Sequence, residues 1–144
     1  MAGVTIEINK NDLAVIHSLF ETLKATSDNL EPALNEIGDY LVSATTQRFK
    51  DSQTPDGSKW LAVKRGGKPL VDHGHLRDSI NYQTYSDSVE VGSNMIYAAI
   101  HQLGGQAGRG HMTTIAARPF LGIGIQDELE IGDILINHIK KSMK

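Results

Sequence analysis

The stretch that most constrains this chain is VGSNMIYAAIHQLGG, residues 91–105. A strand ends there, a turn of small residues comes next, a short amphipathic segment runs on, and two glycines close it. Residues 96–103 put Ile96, Ile100 and Leu103 on one helical face and Tyr97 and His101 on another. Gly104-Gly105 then supplies a C-terminal stop. Residues 1–90 read as scaffold, and residues 106–144 leave through the glycine exit.

The scaffold opens with Val4, Ile6 and Ile8 alternating with Thr5, Glu7 and Asn9, the period of a half-buried strand. Asn11 or Asp12 can cap a helix whose apolar positions Ile16, Leu19, Phe20 and Leu23 recur at helical spacing, and the polar run 25–29 breaks it. A second helix is expected from about Glu31 to about Lys50. Pro32 sits in its first turn, and Leu34, Ile37, Leu41 and Thr45 form one stripe. Gly38 inside it points to a close helix or sheet contact. From residue 51 to 72 periodicity disappears. Pro55-Asp56-Gly57 has turn chemistry, with glycine where positive φ costs little. Residues 76–80 suggest a helical turn, and 81–85 with 88–91 a β-hairpin across Ser86-Asp87.

Beyond the glycine pair, QAGRGHMTT at 106–114 has no apolar period and predicts an exposed, mobile loop. IAARPFLGIG at 115–124 reads as partly extended, with Pro119 marking an edge or strand end. Asp127 is expected to cap a last helix with Ile131, Leu135 and His138 beside a strip of Ile134, Ile139 and Met143, its lysines placed favourably at the C-terminus. The predicted fold is α+β: a mainly antiparallel sheet with two N-terminal helices and a C-terminal helix packed on one face, and long mobile loops. At 144 residues, one domain spanning 1–144 is the expectation.

Composition excludes several classes. With 40% hydrophobic and 22% charged residues the chain is neither disordered nor fibrous. The absence of cysteine removes disulfides, thiolate metal sites and cysteine nucleophiles. No apolar run approaches bilayer length, and MAGVTIEINKND lacks the pattern of a signal peptide, which predicts a mature cytoplasmic product. The net charge of −3 hides a split. Residues 1–47 carry seven acids against Lys10 and Lys24, whereas 48–82 carry seven bases against four aspartates. Opposite fields of this kind steer association with copies of the chain or with a charged partner; solvated charges without a partner are the plainer reading.

No reaction centre emerges. His73 and His75 form an H-x-H pair beside Asp72, with His101 and His111 as further nitrogens, but Gly74 between them favours a turn over ligand geometry. The basic glycine-containing loop at 64–68 lacks the spacing of a nucleotide-binding loop. Ser79 and Ser93 lie in no nucleophile elbow, and the basic segment has no interleaved aromatics. A more telling group is Tyr97, His101 and Gln102, with Arg118 and Phe120 on the next piece. Such a group is either a satisfied network under a loop or a surface that another subunit covers. A small metal- or nucleic-acid-binding module using the His73/His75 region or the basic 59–68 loop stands as the alternative class.

Five blocks in order resemble the phage virion morphogenesis family, the tail-completion proteins of Mu-like and related tailed phages. They are Arg48-Phe49 with Pro55-Asp56-Gly57 and Trp60, LVDHGHLRDSI at 70–80, the hairpin end at 89–94, YAAIHQLGG at 97–105, and ARPFLG at 117–122. His73 stands where the family usually has Thr, and Ala116 where it often has Pro. The resemblance implies a non-enzymatic structural protein without cofactor or metal. It implies action late in virion assembly, at the head-proximal end of the tail or in the neck, as a homo-oligomeric ring, commonly sixfold. Implied partners are further copies of the chain, tail tube or sheath proteins and head-connector proteins. No membrane is implied, and nucleic acid only as DNA passing through a ring. Its implied place is the host cytoplasm during assembly and then the virion. Candidate interface residues on this reading are Trp60, Lys64, Arg65, Lys68, Arg77, Tyr97, His101, Gln102, Arg109, Arg118 and Phe120.

Overall fold

The structure, a computed structural model, describes residues 3–9, 14–61, 75–107, 110 and 113–143. In chain order it contains β1 (Val4–Asn9), α1 (Ala14–Thr26), α2 (Glu31–Asp51), α3 (His75–Asp78), β2 (Asn81–Thr84), β3 (Ser88–Ser93), α4 (Ala98–Leu103), β4 (Gly105–Ala107), β5 (Thr113–Ile115) and α5 (Ile125–Ser142). The chain is α+β, as its periodicities predict. β3 is the central strand of an antiparallel sheet in the order β1-β3-β2. The hairpin turns at Ser86-Asp87, where the Tyr85 N–H donates to the Ser88 carbonyl at 2.8 Å.

Register explains the sheet's sidedness. Ile6 lies opposite Val91, and Val91 opposite Tyr82, so these three share one face. The other face aligns Glu7, Glu90 and Gln83. α2 crosses the apolar face, against β2 and β3, while α5 packs on α1 and α2. Phe20, Leu34, Ile37, Leu41, Phe49, Val89, Val91, Phe120, Ile131 and Leu135 are fully buried between these layers.

α2 starts and stops for local reasons. The Asn29 side-chain carbonyl accepts the Glu31 N–H at 3.0 Å, and Pro32 occupies the first turn without losing a needed donor. The helix ends at Ser52, which adopts a left-handed conformation (φ 55°) and sends its N–H back to the Arg48 carbonyl. Gly38 lies where α2 crosses the sheet: a Cβ there would stand 2.3 Å from the Tyr82 ring.

Three sequence expectations need correction. Residues 106–114 are not simply a loop, because β4 and β5 pair antiparallel from Gly105↔Ile115 to Ala107↔Thr113. Three-residue strands rich in glycine and threonine carry too few side chains to show a period. Residues 116–124 form no strand, because their backbone groups bond to α4 and to side chains instead of a neighbouring strand. Asp127 is not the N-cap of α5; Gly124 is, and the Asp127 carboxylate reaches back to its N–H at 2.8 Å. The proposed caps Asn11 and Asp12 of α1 lie outside the described residues.

Replacing Gly38 with alanine sets about 1 kcal/mol of helix propensity against an overlap of the kind that costs typically 1–3 kcal/mol. The expected outcome is a lower thermal midpoint for Gly38→Ala. In a Tyr82→Ala background the sign should reverse, because only propensity is left; a midpoint raised in both backgrounds would contradict the contact.

Candidate assembly site

The apolar stripe of α2 continues past Thr45 to Arg48, a charged side chain on the buried face. Its guanidinium is held at both ends: Nη1 donates to the Phe120 carbonyl at 2.7 Å and Nη2 to Asp127 Oδ2 at 2.6 Å. Asp127 Oδ1 accepts the Tyr40 hydroxyl at 2.6 Å. Burial lowers the Arg48 pKa, and the nearby Asp127 carboxylate opposes that shift. Burial, followed by the hydrogen bond to Asp127, pushes the Tyr40 hydroxyl well above its ordinary value. Arg48 stays charged, because a guanidinium does not deprotonate in proteins. One carboxylate thus joins α2 to the start of α5.

Residues 116–124 have no regular structure, yet polar groups of residues 118–121 and of Gly124 are paired. The Arg118 N–H donates to the His101 carbonyl at 2.8 Å, and the Phe120 and Leu121 N–H groups both donate to Gln102 Oε1 at 2.9 Å. Gln102 Nε2 returns a bond to the Leu121 carbonyl at 2.8 Å. Trp60 Nε1 donates to the Pro119 carbonyl and Arg118 Nε to the Leu61 carbonyl, each at 2.8 Å. Side chains and helix ends replace the ladder that a strand would have provided. The Phe120 ring packs on Phe49 (centroids 5.3 Å apart), and Phe49 meets Trp60 edge-on at 5.4 Å.

This clamp fixes the orientation of α4. Its exit works as the glycines suggest: Gly104 takes φ +74° and donates its N–H to the Ile100 carbonyl at 2.7 Å. The expected apolar face, however, points inward only in part: Ile100 is half-buried, but Leu103 is 73% exposed, and Ile96, which lies in the turn before α4, is 85% exposed. The Gln102 side chain and the His101 carbonyl must face residues 118–121, which turns Ile96 and Leu103 outward. His101 stacks edge-on with Tyr97 at 5.7 Å, and its buried Nδ1 has no hydrogen-bond partner among the described residues. Burial, then the Arg118 charge, lowers its pKa.

The structure therefore sorts the sequence candidates. Trp60, Arg118 and Phe120 are buried and Gln102 half-buried in the clamp, whereas Tyr97 reaches the surface and Arg77 is half-exposed beside Asp78. Lys64, Arg65, Lys68, Arg109 and His73 lie outside the described residues. Sequence reading missed the joint role of Tyr40, Arg48 and Asp127. The available signal was Arg48 itself, a charge on the apolar stripe one turn beyond Thr45. A cleft of about 740 Å³ lies between α2, the Pro55-Asp56-Gly57 turn and the start of α5. Its lining includes Arg48 and Asp127, which are paired with each other. Among the described residues no group of three or more His, Asp or Glu side chains is placed to hold a metal, and no helix is long and apolar enough to cross a membrane.

Fold and clamp together describe a small α+β protein whose buried polar groups lock its own segments together. The chain belongs to the phage virion morphogenesis family, whose model matches residues 11–140. It is 40% identical over 127 residues to the Mu-like prophage FluMu G protein 2 of Haemophilus influenzae, covering 88% of this chain and 90% of that protein. It is 30% identical over 156 residues to the putative capsid assembly protein G of Escherichia phage Mu, covering 99% and 96% respectively. No solved structure matches it. Its role is accordingly structural, in phage morphogenesis.

Two outcomes are expected of the clamp. Arg48→Met strands the buried Asp127 charge and should lower the unfolding free energy by about 3–5 kcal/mol in denaturant titrations, and the added change Asp127→Asn, which removes that charge but keeps an acceptor for Tyr40 or Gly124, should restore part of that loss. For His101, a lowered folded-state pKa means that the stability it contributes is complete above about pH 6.5 and is lost as pH falls through the folded value. His101→Gln should flatten the acid side of the stability profile; an unchanged slope would show that other groups control it.

Proposed function

We propose that this protein acts at tail completion or head-tail joining, as a homo-oligomeric ring at the head-proximal end of the tail. The observation that carries this reading is the turn into α4 and the helix itself, whose apolar residues Ile96 and Leu103 respectively are left exposed among the described residues. A surface helix normally turns such residues inward, and a neighbouring subunit is the natural cover. Charge supports a head-to-tail contact of the kind a ring requires. Glu21, Glu31, Glu36 and Asp39 are exposed on α1 and α2, opposite in sign to Lys50 and Lys59 and to Lys64, Arg65 and Lys68 in the adjoining sequence. On this reading the acidic helices of one subunit meet the basic 59–68 segment of the next.

The ring's further partners are tail tube or sheath proteins on one side and head-connector proteins on the other, with DNA only passing through. A position where tail meets head also fits the capsid-assembly name of the phage Mu relative. Assembly takes place in the host cytoplasm, and the protein is then carried in the virion.

Electron microscopy of particles made without the protein tests the role. Overlong or frayed tails identify a terminator, and normal tails that fail to join heads identify a connector; complete, infectious virions would overturn both. Reversing the charges of Lys64, Arg65 and Lys68 should weaken ring formation in light scattering and reduce its salt dependence. A ring of unchanged mass would remove that segment from the contact.

A further inference from the structure

α5 has a second apolar face that the protomer does not use. Ile131, Ile134 and Leu135 are buried against the rest of the chain, but Ile125, Leu129, Ile136 and, just past the helix end, Met143 are 79%, 60%, 38% and 70% exposed. At 3.6 residues per turn these four fall within about 40° of one another. Their spacings of four, seven and seven residues are those of a helix-pairing seam. Single exposed apolar residues are ordinary; an aligned row along the whole helix is not.

Two further observations point to what covers this row. Gly132 lies in the same strip, at mid-helix, where glycine weakens a helix. The protomer does not require it: a Cβ there would meet only Leu19 Cδ1, at an ordinary contact distance of 3.8 Å. A missing side chain at the centre of an apolar seam lets a second backbone come close. The charges flanking this strip are also segregated, with exposed Glu128 and Asp133 in the first half of α5 and Lys140 in its second. The helix dipole favours these signs, but it accounts for neither the apolar row nor the glycine. Two such helices side by side match opposite charges only when antiparallel; a parallel pair would stack like on like.

We propose that α5 pairs antiparallel with α5 of a second copy of this chain, about a two-fold axis near Gly132. This contact is isologous and uses a surface separate from the head-to-tail contact proposed above, so either can fail without the other. It would join two subunits, or two rings, back to back.

Sedimentation equilibrium of the full chain tests the pairing. Ile125→Glu with Leu129→Glu should raise the self-dissociation constant at least about tenfold, while circular dichroism and thermal midpoint stay unchanged because both side chains face solvent. Gly132→Ala should raise the thermal midpoint and yet weaken self-association; a purely internal role for this glycine predicts the first effect without the second. The cysteine-free sequence makes direction readable: Leu129→Cys and Ile136→Cys variants, which an antiparallel pair centred near Gly132 sets opposite each other, should form a disulfide with each other when mixed, and neither with itself. With Lys64, Arg65 and Lys68 charge-reversed to weaken the ring contact, the remaining assembly should have the mass of a dimer. A monomer at every concentration, a self-linked Leu129→Cys variant, or unchanged association of the Ile125→Glu, Leu129→Glu protein would each overturn the proposal. Unchanged association with lost virion yield would assign the seam to a different virion protein.

Discussion

One buried positive charge organises this molecule. Arg48 sits at the last turn of α2 on the face that otherwise carries Leu41, Thr45 and Phe49. Taking a guanidinium out of water costs several kcal/mol unless its donors are met, and here they are met by a main-chain carbonyl and a carboxylate from more than seventy residues away. Asp127 in turn accepts from Tyr40 and from the N–H at the cap of α5. A well-packed apolar cluster of the same volume would match such a network in stability. What the network adds is geometry, because residues 116–124 and the start of α5 meet these donors in one arrangement only.

The surface is a consequence of that arrangement. With residues 118–121 bonded to Gln102 and to the His101 carbonyl, α4 cannot roll to bury Ile96 and Leu103. With the first turn of α5 pinned to α2 by Asp127, Ile131 and Leu135 face inward and the row from Ile125 to Met143 faces out. Buried polar groups are here engaged in internal clamps, while apolar side chains are displayed. That inversion suits a part of a virion, whose work is to be fitted against other surfaces.

Much of the scaffold was legible in the sequence, because its cues are local. The α2 stripe, Pro32 and the hairpin turn at Ser86-Asp87 each act within a few residues, and Gly38 correctly announced a close contact that proves to be the Tyr82 ring. The site was legible only in part. Tyr97, His101, Gln102, Arg118 and Phe120 could be grouped, but their arrangement depends on bonds between residues 17 to 72 positions apart that no periodicity records. For the same reason amphipathicity misjudged α4: it shows which face is apolar, not which face the partners leave free. Asp127 had the right chemistry for a helix start and sits three residues inside it, since its carboxylate serves the cap and the buried arginine together.

Hydrogen bonds to side chains and to the end of α4 tie down residues 118–121 and Gly124 of the irregular segment 116–124. Native-state hydrogen exchange at the Arg118, Phe120, Leu121 and Gly124 amides reads this directly, because each donates to a named acceptor although none lies in a strand or helix. Opening free energies for these four amides are expected to lie close to those of the core of α2. Exchange at the rate of an unprotected loop would contradict the clamp.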